Sequence, residues 1–211
     1  NKLRTVGPPM VGAEVRIADD GEILLRGESM MKGYWNLPDV TAATIVDGWV
    51  QTGDIGKFDE QGSLMITDRK KDIIVNSGGD NISPQRIEGL MTLETEISQA
   101  MVYGDDKPYL VAVIWPDEDF MREFARDNSI NNDIDELSQN DTFRKIIRSA
   151  IDRVNTRLST IEKVRSFMFA EAAFGIDNEM LTPSMKIRRH KIRDAYGQQL
   201  DGLYQRKRKG Q

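Results

Sequence analysis

Cysteine is absent from the 211 residues, and histidine occurs once. The first absence excludes disulfides, thiol catalysis and cysteine-ligated metals. The second leaves too few imidazoles for a zinc site or a histidine-based triad. No apolar run approaches the ~20 residues of a membrane span. Cationic excess is missing too: 29 Lys and Arg stand against 34 Asp and Glu, a formal net charge of −5. That removes the bulk attraction on which nonspecific nucleic-acid binding depends. What is present is an ordinary globular composition, 39% hydrophobic and 30% charged with 17 glycines and 7 prolines. The chain is long enough for one large domain or two small ones. An initiator methionine is also lacking, and "NKLRTVGPP" opens mid-pattern, so the expectation is a fragment of something longer.

Patterning changes once along the chain. Residues 1–67 read as β-rich: "AEVRIA" and "EILLRG" alternate apolar and polar around the turn signal "DDG", and "WVQTGDIGKF" pairs with "SLMITD" around "DEQG". Between these pairs, "LPDVTAATIV" predicts a short helix with Pro38 near its start. From Ser83, a candidate N-cap before Pro84, the residues Ile87, Leu90, Met91 and Ile97 keep roughly helical spacing. "AMVYG" and "YLVAVIWP" predict two strands, and "DEDFMREFARDN" predicts an amphipathic helix. Phe143, Ile146, Ile147, Ala150, Ile151, Val154 and Leu158 mark the clearest helix, expected to be the longest. "KVRSFMFA" is a further strand, and Ile192, Ala195, Tyr196, Leu200 and Leu203 mark a last helix. The fold class is α+β: a small β-rich subdomain, then a compact unit with a short sheet flanked by helices. The border falls near residues 68–71.

Three segments could carry chemistry, and each alone has an ordinary structural explanation. In "DIIVNSGGDNISP" a strand ends at Gly78 and Gly79, where bare backbone permits positive φ and close approach of a ligand, or simply a turn. "GWVQTGD" sets Asp54 in a glycine-flanked turn. Its carboxylate could accept bonds from two neighbouring hydroxyls, as a ribose presents, or cap a local turn. "LTPSMKIRR" places Lys186 after a proline-broken loop, either solvated or aimed at developing negative charge.

Taken together, the order and spacing of these segments resemble the adenylate-forming (AMP-binding) superfamily. "GWVQTGD" is similar to its ribose-binding motif, "DRKKDIIVNSGGDNISPQRIE" to its hinge and thiol-acceptor loop, and "LTPSMKIRR" to its catalytic-lysine motif. "GPPMVGAEVRI" and "GEILLRGESMMKGYW" match as well. Within the superfamily, "SGGDNISP" and "LTPSMK" look most like the long-chain fatty acyl-CoA synthetase branch.

The resemblance implies an ATP-dependent ligase that forms an acyl-adenylate from a fatty acid and then passes the acyl group to CoA. Residues 1–67 would be the last subdomain of the large AMP-binding domain, 68–71 the hinge, and 72–211 a mobile cap. Carried over, Asp54 and Arg69 would hold the ATP/AMP ribose, and Lys71 would be the pivot. Gly78 and Gly79 would line the CoA pantetheine channel, and Lys186 would serve adenylation. Magnesium would come with ATP, its protein ligand lying upstream, so no metal ligand is assigned here. The partners implied are the three small substrates and the upstream large domain, not nucleic acid. The location implied is cytoplasmic, with peripheral membrane association left to the missing part. The family's phosphate loop is absent from these residues, so the chain alone is expected to be inactive.

Other readings stay open: an adenylating enzyme for another carboxylic acid or a carrier-protein acceptor, or a noncatalytic interaction module. His190 is expected to be an exposed helix residue. The acidic stretch "NNDIDELSQND" is read as a solvated linker without calcium-loop spacing. Arg188, Arg189 and Lys191 are read as solvated, with CoA phosphates as the alternative, and "QRKRKGQ" as a basic tail.

Overall fold

Turn chemistry shapes the first elements. β1 (Ala13–Ile17) and β2 (Glu22–Gly27) pair antiparallel, Val15 opposite Leu25, across a turn in which Gly21 takes φ +86°. α1 (Pro38–Thr44) starts with proline at its first position and buries no residue. Ile45 and Val46, expected within that helix, instead form β3 (Ile45–Val46), a hairpin on β4 (Trp49–Phe58). These two β-branched residues leave the helix for strand pairing, which suits their restricted χ1. β5 (Leu64–Arg69) completes a five-stranded antiparallel sheet in which β4 pairs with β2, β3 and β5. A three-residue 3-10 turn, Lys70–Asp72, follows.

This computed structural model describes residues 5–205, so the basic tail beyond Gln205 lies outside the described residues. The chain divides into two compact units between Ile73 and Ile74.

The second unit opens with a small hairpin, β6 (Ile74–Val75) and β7 (Asn81–Ile82), and runs into α2 (Pro84–Met91). Ser83 occupies the N-cap position but makes no side-chain cap bond. Ile97 does not extend that helix. It begins β8 (Ile97–Tyr103), because the chain turns at Thr92–Glu96, where Arg153 binds Glu94 and Glu96 at 2.6 and 2.7 Å. β8 pairs antiparallel with β9 (Leu110–Pro116), which runs parallel to a later strand. α3 (Glu118–Asn128) is capped by Asp117, whose carboxylate accepts from the N–H groups of Asp119 and Phe120. Such a cap contributes about 1 kcal/mol.

The expected acidic linker is partly a helix, α4 (Ile134–Gln139), capped by Asp133. Leu137 is its anchor, fully buried in the core, and Ile134 packs against the same core, which seats the helix beside α5 (Asp141–Asn155). β10 (Val164–Phe169) completes the β10-β9-β8 sheet. The last helix, α6 (Arg189–Gln205), has 17 residues and is longer than α5, with 15. The expected α+β class is borne out.

Side chains cover both faces of this three-stranded sheet. Val102, Leu110, Ala112 and Ile114 pack with α2, α3 and α5, where Phe120, Phe124, Phe143 and Phe169 form a ring cluster. Met101, Tyr103, Val111 and Val113 pack with Ile192, Tyr196 and Leu200 of α6. No helix among the described residues is long and apolar enough to cross a membrane.

Candidate functional site

The candidate residues fall into both units, and each unit builds its own part. In the first, Asp54 lies opposite Arg69 in the β4–β5 register, and the Arg69 Nε is 2.9 Å from the Asp54 Oδ1. The two differ in exposure: the arginine side chain is 50% exposed and the aspartate 21%. The register slips beside them, so Thr67 is an extra residue that bulges β5.

Asp54 does not stand in the expected turn but inside β4, at a bulge where the register with β2 slips, and that bulge is pinned from β2. Gly53 adopts φ +69°, and its N–H donates to the Glu22 Oε1 at 2.9 Å. The Thr52 hydroxyl donates to the Ile23 carbonyl at 2.7 Å and accepts the Asp54 N–H at 3.1 Å. Glu22 is buried, and its other oxygen takes the Lys70 ammonium at 2.7 Å, which also reaches Asp20 at 2.6 Å. The ammonium holds the Asp20 carboxyl below its usual 3.8, and Asp20, then Glu22, holds Lys70 above its usual 10.5. Lys70 is thus tethered by two carboxylates, whereas Lys71 beside it is exposed in the 3-10 turn. Asp68 is buried at 2% exposure and accepts the Arg69 N–H at 2.7 Å.

In the second unit, Gly78 and Gly79 form the tip of the β6–β7 hairpin and are exposed. Gly79 takes φ +84°, a conformation that side chains oppose. At Gly78 the constraint is space, since a Cβ would sit 3.2 Å from the Asn76 Oδ1. The hairpin rests on the β8–β9 turn: Val75 N–H donates to Asp105, Asp106 N–H to the Val75 carbonyl, and Ser77 N–H to the Lys107 carbonyl.

Lys186 sits on a second tight loop. Leu181 bridges to Ile187, the Thr182 N–H donates to the Lys186 carbonyl at 2.8 Å, and the Lys186 N–H donates to the Thr182 Oγ1 at 3.0 Å. Met185 is held at φ +60°. Leu181 and Ile187 anchor the stems in the α6 side of the core, while the Lys186 side chain is exposed and has no ion pair among the described residues.

Its neighbours are not simply solvated, as the sequence suggested. Arg189 grips the buried Glu88 carboxylate with both terminal nitrogens, at 2.7 and 2.5 Å, and Glu88 also accepts the Val102 N–H at 2.7 Å. Lys191 binds Glu179 at 2.6 Å, with Arg188 3.6 Å from the same carboxylate. Lys191 foremost keeps the Glu179 carboxyl below its usual 4.5. His190 is exposed on the first turn of α6.

Sequence reasoning missed Glu22, Lys70, Asn76 and Glu88. Glu88 did leave a signal: Pro84, Ile87, Glu88 and Met91 form one buried stripe, so a charge stood at a core position. Among the described residues no group of three potential ligands could hold a metal ion.

Residues 71–208 match the family model of the AMP-binding enzyme C-terminal domain. The chain is 37% identical over 205 residues to long-chain-fatty-acid–CoA ligase FadD15 of Mycobacterium tuberculosis, covering 96% of the chain and 34% of that protein. It is 32% identical to long-chain-fatty-acid–CoA ligase 1 of Cavia porcellus, covering 94% of the chain and 31% of that protein. The chain thus spans about a third of the length of these curated relatives. In fold it resembles the adenylation domain of the carboxylate reductase from Mycobacterium chelonae, with TM-score 0.77 at 23% identity over 93% of the chain and 31% of that one.

Proposed function

Because the chain belongs to the AMP-binding enzyme C-terminal domain family, we propose that it is the closing portion of an ATP-dependent acid–CoA ligase acting on a long-chain fatty acid. In the first half-reaction the fatty carboxylate attacks the α-phosphorus of ATP. An O–P bond forms, the bond to pyrophosphate breaks, and acyl-adenylate results. In the second, the CoA sulfur attacks the acyl carbonyl. A C–S bond forms, the C–O bond to AMP breaks, and the thiol proton leaves to solvent.

The residues have matching chemistry. Asp54 is an acceptor for two ribose hydroxyls, and Arg69, already 2.9 Å away, adds donors on the same edge. Magnesium would enter with ATP, its protein ligand belonging to the large domain. Lys71, exposed beyond the tethered Lys70, is the pivot. Gly78 and Gly79 offer bare backbone to the thiol arm. Lys186 carries the adenylation step, and the observation that supports it most is its exposed, unshared ammonium on a loop whose stems are fixed in the core. Charge concentrates around one phosphorus, and a preplaced cation lowers that barrier without reorganising. The fatty acid is assigned from the names of the curated relatives.

The test uses the full-length protein. It is expected to make acyl-CoA from ATP, CoA and a long-chain fatty acid, and Lys186→Ala should slow ATP–pyrophosphate exchange by about 10²- to 10³-fold. Acyl transfer from preformed acyl-adenylate should change far less. Undiminished exchange in that variant would remove Lys186 from the chemistry.

A further inference from the structure

We propose that Asn76 is a positioning residue for the thiol-acceptor step: it builds the loop 76–80 into a surface that offers carbonyl oxygens, and no amide donors, to the acceptor. This rests on the reading of the chain as part of an acyl-CoA ligase.

The bonding of the loop carries the argument. The Asn76 Oδ1 accepts the N–H groups of Gly78 and Asp80, both at 2.9 Å, and its backbone carbonyl accepts that of Gly79 at 3.0 Å. The Asn76 Nδ2 donates to the Asp80 carboxylate at 3.0 Å. Ser77 N–H is taken by the Lys107 carbonyl at 3.1 Å. Every amide from Ser77 to Asp80 therefore points inward, three of the four toward Asn76.

A glycine-rich loop recognises phosphate by turning its amides outward. Here none is left to turn, and the exposed Asp80 carboxylate adds repulsion. No hydrogen bond among the described residues uses the carbonyls of Ser77, Gly78 or Gly79, and nothing lies within 4 Å of where a Gly79 Cβ would project. The ligand this suits is a slim uncharged chain carrying amide N–H groups, with its thiol at the end. The phosphates of the acceptor belong elsewhere. Asn76 also explains Gly78, whose missing side chain leaves room for the Asn76 carboxamide.

The experiment uses the full-length protein and two acceptors, CoA and pantetheine, which lacks the nucleotide. Asn76→Ala is expected to slow acyl transfer from preformed acyl-adenylate about tenfold with either acceptor, with ATP–pyrophosphate exchange kept within about twofold. The paired exchange Asn76→Asp with Asp80→Asn keeps the amide–carboxylate contact and the two N–H acceptors, and should restore transfer to within about threefold of the parent. Unchanged transfer in Asn76→Ala, an equal loss in both half-reactions, a loss with CoA but not pantetheine, or failure of the exchange to restore transfer would each overturn the proposal. A parent protein that transfers to no thiol would overturn the ligase reading itself, and this inference with it.

Discussion

The two units solve the problem of cohesion in opposite ways. The second buries apolar side chains on both faces of its three-stranded sheet. The first, among its described residues, buries only three hydrophobic side chains, Ile23, Leu24 and Leu64, and leaves Val11, Trp35 and Met10 at 106%, 89% and 74% exposure. Its contacts are ladder hydrogen bonds and charges: Arg26 on Glu14, Lys70 on Asp20 and Glu22, Arg69 on Asp54, and Trp49 beside the guanidinium groups of Arg16 and Arg26 at 4.8 and 4.4 Å. Exposed ion pairs add little individually. The lesson is that the second unit carries its own cohesion, whereas the apolar surface of the first is the kind that another protein surface covers. That agrees with the proposed place of residues 1–67 at the end of a larger domain.

Separating the units would break this comparison most directly. Residues 74–211 expressed alone should unfold in urea in one cooperative step, and residues 1–73 alone should show none. A sharp transition in the shorter piece would mean that its ladders and charges suffice. Next in size, Arg189→Met should lower the stability of the second unit by about 3–5 kcal/mol, since it leaves the Glu88 carboxylate buried without its cation. Hydrogen exchange should then rise in peptides of residues 74–205 and not in those of the sheet around β4. In the first unit, Asp54→Ala should weaken nucleotide binding by the full-length protein about ten- to a hundredfold while leaving unfolding of the second unit unchanged.

The smallest effect is electrostatic. Lys107 lies 2.8 Å from Asp201 and holds that carboxyl below its usual 3.8. A lowered folded value stabilises above pH 3.8, and the gain disappears as pH falls through the folded value. Asp201→Asn should therefore cost a fraction of a kcal/mol at pH 7 and nothing in stronger acid, read as urea midpoints across that range. A difference that persisted into acid would point to packing instead.

How much was legible follows from where the information lies. α5 was legible because Phe143, Ile147, Ala150, Ile151 and Val154 repeat at helical intervals and all are buried. α4 was not, because Ile134 and Leu137, a single apolar pair among acidic residues, are too few to establish a period. Ile97 misled because its seven-residue spacing from Leu90 fits a helix, whereas the chain turns at Thr92–Glu96, where Arg153, far along the chain, binds Glu94 and Glu96. The candidate site shows the same divide. Asp54, Arg69, Gly78, Gly79 and Lys186 stand in local motifs that can be read without coordinates. Their supports, Glu22 with Lys70 and Glu88 with Arg189, join residues 48 and 101 positions apart, and no local window contains both partners.

The link between Glu88 and Arg189 has a mechanical consequence. One partner stands on the helix that follows the glycine tip, the other begins the helix that follows the lysine tip, and a two-pronged buried contact resists both sliding and twisting. Within the second unit the two tips are therefore tied together through the helices that follow them, each helix beginning close to one partner of the same ion pair.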